Sequence, residues 1–418
     1  MTARPLRVIL LASVRSYRNA LFEQAAERLL VEVVRGEDVP LPFLKKTSAA
    51  LPVDYRDLDR SSAAIVAYAR EHPVGAVLGV DDSGVILAAR AAKALGLPHN
   101  APDAAEAARH KHVMRCRFRD ARVLQPRFEL VHAHDDAVAI ARRVGYPCVI
   151  KPTTLSGSRG VMRADDARDF GERFARLRAI LAVERCDEIL IEEFVPGFEV
   201  ALEGLLDGGQ LRVLAIFDKP DPLDGPFFEE TLYVTPSRLN EGTQRMIHDA
   251  TRQAAAALGL SEGPIHAELR VNDRGAWLVE AAARSIGGLC SKTLRFGVGA
   301  ASLEELILRQ ALSLPLPEKE ASREASGVMM IPIPRAGILR GVEGEAEALA
   351  VPGIEGLEIT ARPHYPLVPL PEGDSYLGFL FARGASAASV EAALRQAHSR
   401  LRFAIVSELS VATSRPGG

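Results

Sequence analysis

The apolar run Cys148-Val149-Ile150 ends in Lys151, and Thr153-Thr154-Leu155-Ser156-Gly157-Ser158-Arg159-Gly160 follow directly after Pro152. A lysine at a strand end aims a fixed cation into whatever cleft lies there. Small residues beyond it let backbone N–H groups approach an anion closely. Arginine far outnumbers lysine in this chain, so each lysine carries more information than it would elsewhere. The loop is not a Walker A motif, because no Gly-Lys-Ser/Thr follows. Alone, such a loop is a plain turn in most proteins; the lysine in front of it points to phosphate.

Two further clusters could join it. Ile189-Leu190-Ile191-Glu192-Glu193-Phe194-Val195-Pro196-Gly197-Phe198-Glu199 is an apolar strand running into carboxylates. It reads either as a solvated strand end or as a hinge whose backbone meets an adenine while a carboxylate holds ribose hydroxyls. The third cluster is more specific. Alternation in Pro264-Ile265-His266-Ala267-Glu268-Leu269-Arg270-Val271 places His266, Glu268 and Arg270 on one strand face. The tight turn Asn272-Asp273-Arg274-Gly275 then leads into Trp277-Leu278-Val279-Glu280-Ala281-Ala282-Ala283-Arg284, and the pair should form a hairpin. Glu268 and Glu280 would then lie side by side and repel each other unless a cation sat between them. Two hard carboxylates suit Mg²⁺ bridging nucleotide phosphates. A surface hairpin with ordinary charge pairing is the competing reading, disfavoured by the apolar residues around Glu280.

The elements that must position these residues alternate strand and helix at first. The pattern predicts strands at 6–12, 29–34 and 76–80 and helices at 19–30, 61–70 and 85–95, the last stopped by Gly96 and Pro98. Strands alternating with helices imply a parallel sheet, so residues 1–100 read as an α/β, Rossmann-like domain. It lacks a GxGxxG after its first strand, which argues against dinucleotide binding there. A helix-rich bridge follows at 103–119, then a small unit at about 123–200 with strands at 148–151 and 189–193. Strands at 202–206, 213–218, 266–271 and 276–281 and helices at 243–258 and 302–312 complete a domain spanning 101–318. Residues 315–326 read as a linker. A separate α+β domain is expected at 326–410, with its helix at 387–401.

The bulk numbers bound the rest. The length of 418 residues suggests several domains, and 48% hydrophobic with 25% charged residues is ordinary for a globular protein. A net charge of −3 gives no basic footprint for nucleic acid. Cys116, Cys148, Cys186 and Cys290 are far apart, without CxxC or Cys/His spacing. Neither a zinc site nor a disulfide framework is indicated, and a cytoplasmic setting fits. No apolar stretch approaches the roughly 20 residues of a membrane helix.

In this order the pieces resemble the ATP-grasp superfamily over nearly the whole chain. Glu280–Arg284, the following Ser285-Ile286-Gly287-Gly288 and the short C-terminal domain resemble its L-amino acid ligase and carnosine-synthase branch. Biotin carboxylases and purine-pathway ligases usually carry Glu-x-Asn-x-Arg, and here Ala282 stands at the Asn position. The resemblance implies α/β and α+β architecture: the ATP-grasp fold with a Rossmann-like domain before it and a small α+β domain after it. It further implies a carboxylate–amine ligase that uses ATP and two Mg²⁺ ions, replaceable by Mn²⁺, and works through an acyl-phosphate. Lys111 and Lys151 would contact ATP phosphates, with Ser156, Gly157, Ser158 and Gly160 forming the lid. Glu192, Glu193 and Val195 would meet adenine, the last two through their backbone, and Glu199 the ribose. Glu268 and Glu280 would hold the metal. Arg284 and Lys219 would be catalytic, and Glu230, Arg284, Ser285, Gly287 and Gly288 would line the substrate site. Leu232-Tyr233 replace the Gly-His frequent in relatives, within the segment that runs through their acceptor site. A small carboxylic acid, a small amine and a second copy of the chain are the implied partners, with no nucleic acid or membrane. Other readings stay open: an ATP-grasp enzyme using bicarbonate or a purine-pathway amine, or a silent ATP-binding regulator.

Overall fold

The computed structural model describes residues 6–13, 16–38, 50–132, 135–184, 186–317 and 324–407. Its first unit is a parallel sheet ordered Ala50–Pro52, Glu32–Glu37, Arg7–Leu11, Ala76–Gly79. Val8, Ile9 and Leu11 are wholly buried, as a central parallel strand covered on both faces should be. Helix Val85–Leu95 stops where expected, with Gly96 in the left-handed region at φ 67°. The strand expected at 29–34 is displaced to Glu32–Glu37. Leu29 still caps helix Asn19–Arg28, and Leu30 turns the chain at φ 55° before pairing begins. Helix Leu58–Glu71 starts earlier than its apolar spacing suggests, because the Asp57 side chain accepts from the Arg60 N–H.

A second small unit is an antiparallel sheet ordered Phe128–His132, Glu188–Glu193, Cys148–Pro152, Met162–Ala164. Helices Ala137–Val144 and Ala167–Glu184 pack on it through Ala141, Val144, Phe170 and Leu177. Only its two inner strands were expected; the short edge strands carry little apolar signal.

An antiparallel eight-stranded sheet forms the centre. Its order is Gly275–Ala282, Gly263–Asn272, Phe198–Asp207, Gln210–Lys219, Leu232–Thr235, Ala325–Ile331, Gly378–Gly384, Ile354–Ile359. Helices Lys111–Asp120 and Glu241–Leu258 cover its first half, burying Met114, Phe118, Ile247 and Leu258 against Leu202, Leu269 and Leu278. The C-terminal stretch, expected to stand apart, supplies three strands of this same sheet. Leu232–Thr235 would otherwise be an apolar edge, and Ala325–Ile331 pairs along it. Helix Ala387–His398 covers that end, beside a small sheet of Pro366–Leu367, Gly337–Glu343 and Arg402–Val406. The expected linker falls partly outside the described residues, and Ala325 and Ser326 already belong to a strand. Among the described residues, no helix is long and apolar enough to cross a membrane.

Candidate active site

The hairpin from Gly263 to Ala282 places the two carboxylates by means of a bulge. From the turn, Asn272 pairs with Gly275, Val271 with Ala276, Arg270 with Trp277 and Leu269 with Leu278. Regular pairing would next set Glu268 against Val279. Instead the register shifts by one residue and Glu268 faces Glu280. Arg115 holds the bulge: its guanidinium donates to the Leu278 carbonyl at 3.0 Å and the Val279 carbonyl at 2.7 Å.

Arg115 also forks onto Glu192, with Nε–Oε1 2.6 Å and Nη2–Oε2 3.2 Å, and Lys151 Nζ lies 2.6 Å from Glu192 Oε2. Glu192 sits opposite Val149, so Lys151 is its diagonal neighbour on the paired strand. Burial and the adjacent Arg115 charge lower the Lys151 pKa to about 8 despite Glu192. Lys111, one helical turn before Arg115, donates to the Leu155 carbonyl at 3.0 Å and lies 3.4 Å from Glu280.

Three central strands carry a charge ladder. His266 pairs across with Glu203 and Arg270 with Glu199, and Glu199 pairs in turn with Lys219. Arg270 Nε bonds Glu199 Oε2 at 2.9 Å, and Lys219 Nζ lies 2.9 Å from Glu199 Oε1 and 3.1 Å from Glu268 Oε1, with Glu230 in contact as well. Burial disfavours the Lys219 charge, but the three carboxylates outweigh it and hold the pKa well above the usual lysine range. Lys219 is a fixed cation, not a proton acceptor. Burial and repulsion from Glu268 raise Glu230 to about 7, against the pull of Lys219. His266 bridges Glu203 and Glu268, the latter at 3.2 Å. Burial disfavours the imidazolium, but the two carboxylates raise its pKa to about 9.

The loop after Pro152 turns through left-handed Gly157, Ser158 and Gly160, at φ 64°, 56° and 76°. A Cβ at Gly160 would fall 2.9 Å from Leu177 Cδ1 and 3.2 Å from Pro152 Cδ, and the positive φ there is strained for any side chain, so the position favours glycine. Ser156 donates to Asp82 Oδ2 at 2.8 Å, and Arg284 forks onto the same carboxylate at 2.9 and 3.1 Å.

One cleft is therefore lined by Lys111, Lys151, Ser156, Gly157, Ser158, Glu192, Glu193, Val195, Glu199, Glu230, Glu268 and Glu280. The other expected residues stand outside its wall. Gly160 shapes the loop, and its N–H is bonded to the Pro371 carbonyl at 2.8 Å. Lys219 lies behind the carboxylates it neutralises. Arg284 turns to Asp82, and the buried Ser285 hydroxyl accepts from Arg18. Gly288 packs against the Phe379 ring, and no atom stands near a Cβ built on Gly287. The Glu192 and Glu199 side chains are occupied by buried cations. At the end of strand Glu188–Glu193, the Glu193 N–H is bonded to the Arg127 carbonyl, and beyond it the Val195 carbonyl accepts from Arg270. Leu232 and Tyr233 are buried core residues, the Tyr233 ring lying 5.0 Å from Lys219 Nζ. Sequence reading missed Arg115 and Asp82. The four-residue spacing from Lys111 marks Arg115. Asp82 follows the end of a parallel strand, where sites on such sheets collect.

Comparison with known proteins bears on the fold. Family models match an ATP-grasp N-terminal domain over residues 23–99 and an ATP-grasp domain over 144–293. The chain is a member of the ATP-grasp superfamily, and its fold is the ATP-grasp fold. Its C-terminal domain is of the L-amino acid ligase kind, matching L-amino acid ligase C-terminal domain 2 over 329–406. Alanine–anticapsin ligase from Bacillus subtilis is 31% identical over 237 residues, covering 51% of this chain and 50% of that protein. The chain thus spans about half the length of the curated relatives it matches. The crystal structure of L-amino acid ligase from Bacillus licheniformis superposes with a TM-score of 0.82 at 26% identity, covering 97% and 100% of the two chains. Carboxyaminoimidazole ribonucleotide synthase from Aspergillus clavatus, complexed with ATP, shares the fold at 16% identity and TM-score 0.72, covering 95% and 99%.

Proposed function

We propose that this chain is an ATP- and Mg²⁺-dependent ligase that joins a carboxylate to an amine as an amide through an acyl-phosphate, releasing ADP and phosphate. The observation that carries the reading is the single cleft where Lys111, Lys151 and the lid loop meet the opposed pair Glu268 and Glu280. A carboxylate attacking a γ-phosphate brings anions together, so the first requirement is charge neutralisation by preorganised cations and donors.

Glu268 and Glu280 fit a metal: they are hard oxygen donors on directly paired positions, and both line the cleft. Mg²⁺ held there would neutralise phosphate charge. Ala282 is buried and offers no donor, so a second ion would lean on Glu280. Glu199, Glu230 and Glu268 also bring carboxylate oxygens within 4.8 Å of one another. Lys219 already stands among them, so we read Glu199 and Glu230 as its counter-charges and leave Glu268, which faces Glu280, to the metal.

Lys111 and Lys151 grip phosphates in this reading, and Ser156, Gly157 and Ser158 close over them to keep water from the acyl-phosphate. The adenine is met by the Glu193 carbonyl and the Val195 N–H, the hinge groups left once Arg127 and Arg270 have taken theirs. Glu192 orders the hinge from behind through Arg115 and Lys151. Arg284 steadies the transferred phosphoryl group, and Glu230 faces the incoming amine. The names of the relatives support amino acids as substrates, and four free cysteines suit a reducing cytoplasm.

The test is incubation with ATP, MgCl₂ and panels of amino-acid pairs, following phosphate release and product mass. ADP, phosphate and a condensed product with particular pairs are expected. AMP and pyrophosphate would contradict the acyl-phosphate route.

A further inference from the structure

Arg284, assigned above to the transferred phosphoryl group, and Ser156, from the loop that closes over the phosphates, both grip a carboxylate of the first domain. Asp82 lies in the Val80–Gly84 turn beyond strand Ala76–Gly79. Its Oδ1 meets Arg284 Nε at 2.9 Å and its Oδ2 meets Nη2 at 3.1 Å, while Oδ2 also accepts from the Ser156 hydroxyl at 2.8 Å. A planar guanidinium fork on two oxygens, with a hydroxyl completing the grip, is the arrangement a phosphoryl group would receive.

The turn is built to hold that carboxylate still. Asp81 accepts from the Ser13 N–H at 3.1 Å and the Ser83 N–H at 3.1 Å, and the buried Arg18 donates to the Val80 carbonyl. Arg18 donates as well to the Ser285 carbonyl at 3.3 Å, tying the turn to the residue that follows Arg284. Burial would raise the Asp82 pKa, but Arg284 outweighs it and keeps the group anionic. Arg284, meanwhile, stands outside the wall of the cleft.

We propose that Asp82 is a positioning residue that stands in for the phosphoryl anion, holding Arg284 and the lid loop until a phosphate displaces it. The inference rests on the proposed role of Arg284. It predicts competition: an anion bound by Arg284 must first take the guanidinium from Asp82. Removing the carboxylate therefore tightens anion binding, whereas loss of a merely structural strut would weaken it.

The experiment measures binding of inorganic phosphate to the Mg·ADP complex of the full chain by calorimetry. Asp82→Asn should bind phosphate on the order of tenfold more tightly than the parent, the scale of one charged hydrogen-bonding contact. The gain should vanish in Asp82→Asn combined with Arg284→Met. Should the Asn variant fold poorly, Asp82→Ser makes the same prediction. Unchanged or weaker phosphate binding in a folded Asp82 variant would overturn the proposal. Arg284→Met alone separates the two layers: unaltered phosphate affinity there would overturn the role of Arg284 itself. Weakened affinity there, with no gain from Asp82→Asn, would overturn only the stand-in.

Discussion

Glu268 lies directly opposite Glu280 on neighbouring antiparallel strands, yet the two carboxylates meet different cations: Lys219 at 3.1 Å for Glu268 and Lys111 at 3.4 Å for Glu280. The difference in surroundings separates what each contributes. Glu280 has one long ionic contact, and Glu280→Ala should unfold at nearly the same denaturant concentration as the parent. Its turnover should nevertheless fall by on the order of 10²–10³. Glu268→Ala takes one partner from buried Lys219, which keeps Glu199 and Glu230, and one from His266, which keeps Glu203, and should lose about 1–3 kcal/mol of stability as well. Urea unfolding without nucleotide, beside product formation, distinguishes the two variants.

Glu192 is a second case where burial decides. Its carboxylate is enclosed by Arg115 and Lys151, with 5% of its side chain exposed. Glu192→Gln should cost roughly 3–5 kcal/mol in unfolding free energy. Where folded, it should keep ADP affinity within a few-fold. A variant of normal stability that had lost nucleotide binding would return Glu192 to the adenine.

Lys151 makes nucleotide affinity depend on pH. Its pKa of about 8 in the free protein means that the ammonium, the form that attracts phosphate, is lost as pH rises past that value. Bound phosphate favours the ammonium and raises its pKa, so binding takes up a proton above pH 8. ADP affinity should be flat below pH 8 and fall by up to about tenfold per pH unit above it. Lys151→Arg stays charged and should flatten the profile in a titration from pH 7 to 9.5.

His266 shifts the other way. Its pKa rises from 6.5 to about 9 in the folded chain because Glu203 and Glu268 outweigh burial. The native state holds a proton that the unfolded state releases. The contribution is therefore full below pH 6.5 and is lost as pH climbs through 9, by an amount on the order of 3 kcal/mol. The difference in unfolding free energy between the parent and His266→Gln should shrink over that window. A constant difference would mean that His266 is neutral between its carboxylates.

Much of this site was legible because its residues sit at strand ends and on one strand face. Lys151, Ser156–Ser158 and the pair Glu268 and Glu280 come from local pattern, and the structure brings all of them to one cleft. The bulge that makes the carboxylate pair face each other was not legible. Simple counting from the turn sets Glu268 against Val279, and the shift depends on Arg115, more than 160 positions away. The partner of Ser285 was not legible for the same reason: Arg18 belongs to a different unit. The C-terminal strands read correctly as strands, but a sequence does not say which sheet an edge will join.

The central claim is that a substrate carboxylate is phosphorylated before the amine attacks. With a substrate pair in hand, the carboxylate partner is supplied with both oxygens as ¹⁸O, and the released phosphate is analysed by mass spectrometry. Attack on the γ-phosphate makes one labelled oxygen the bridge of the acyl-phosphate, and amine attack at carbon expels it with the phosphate. One ¹⁸O per phosphate is the predicted result. Phosphate free of label, or label carried by AMP, would contradict the account.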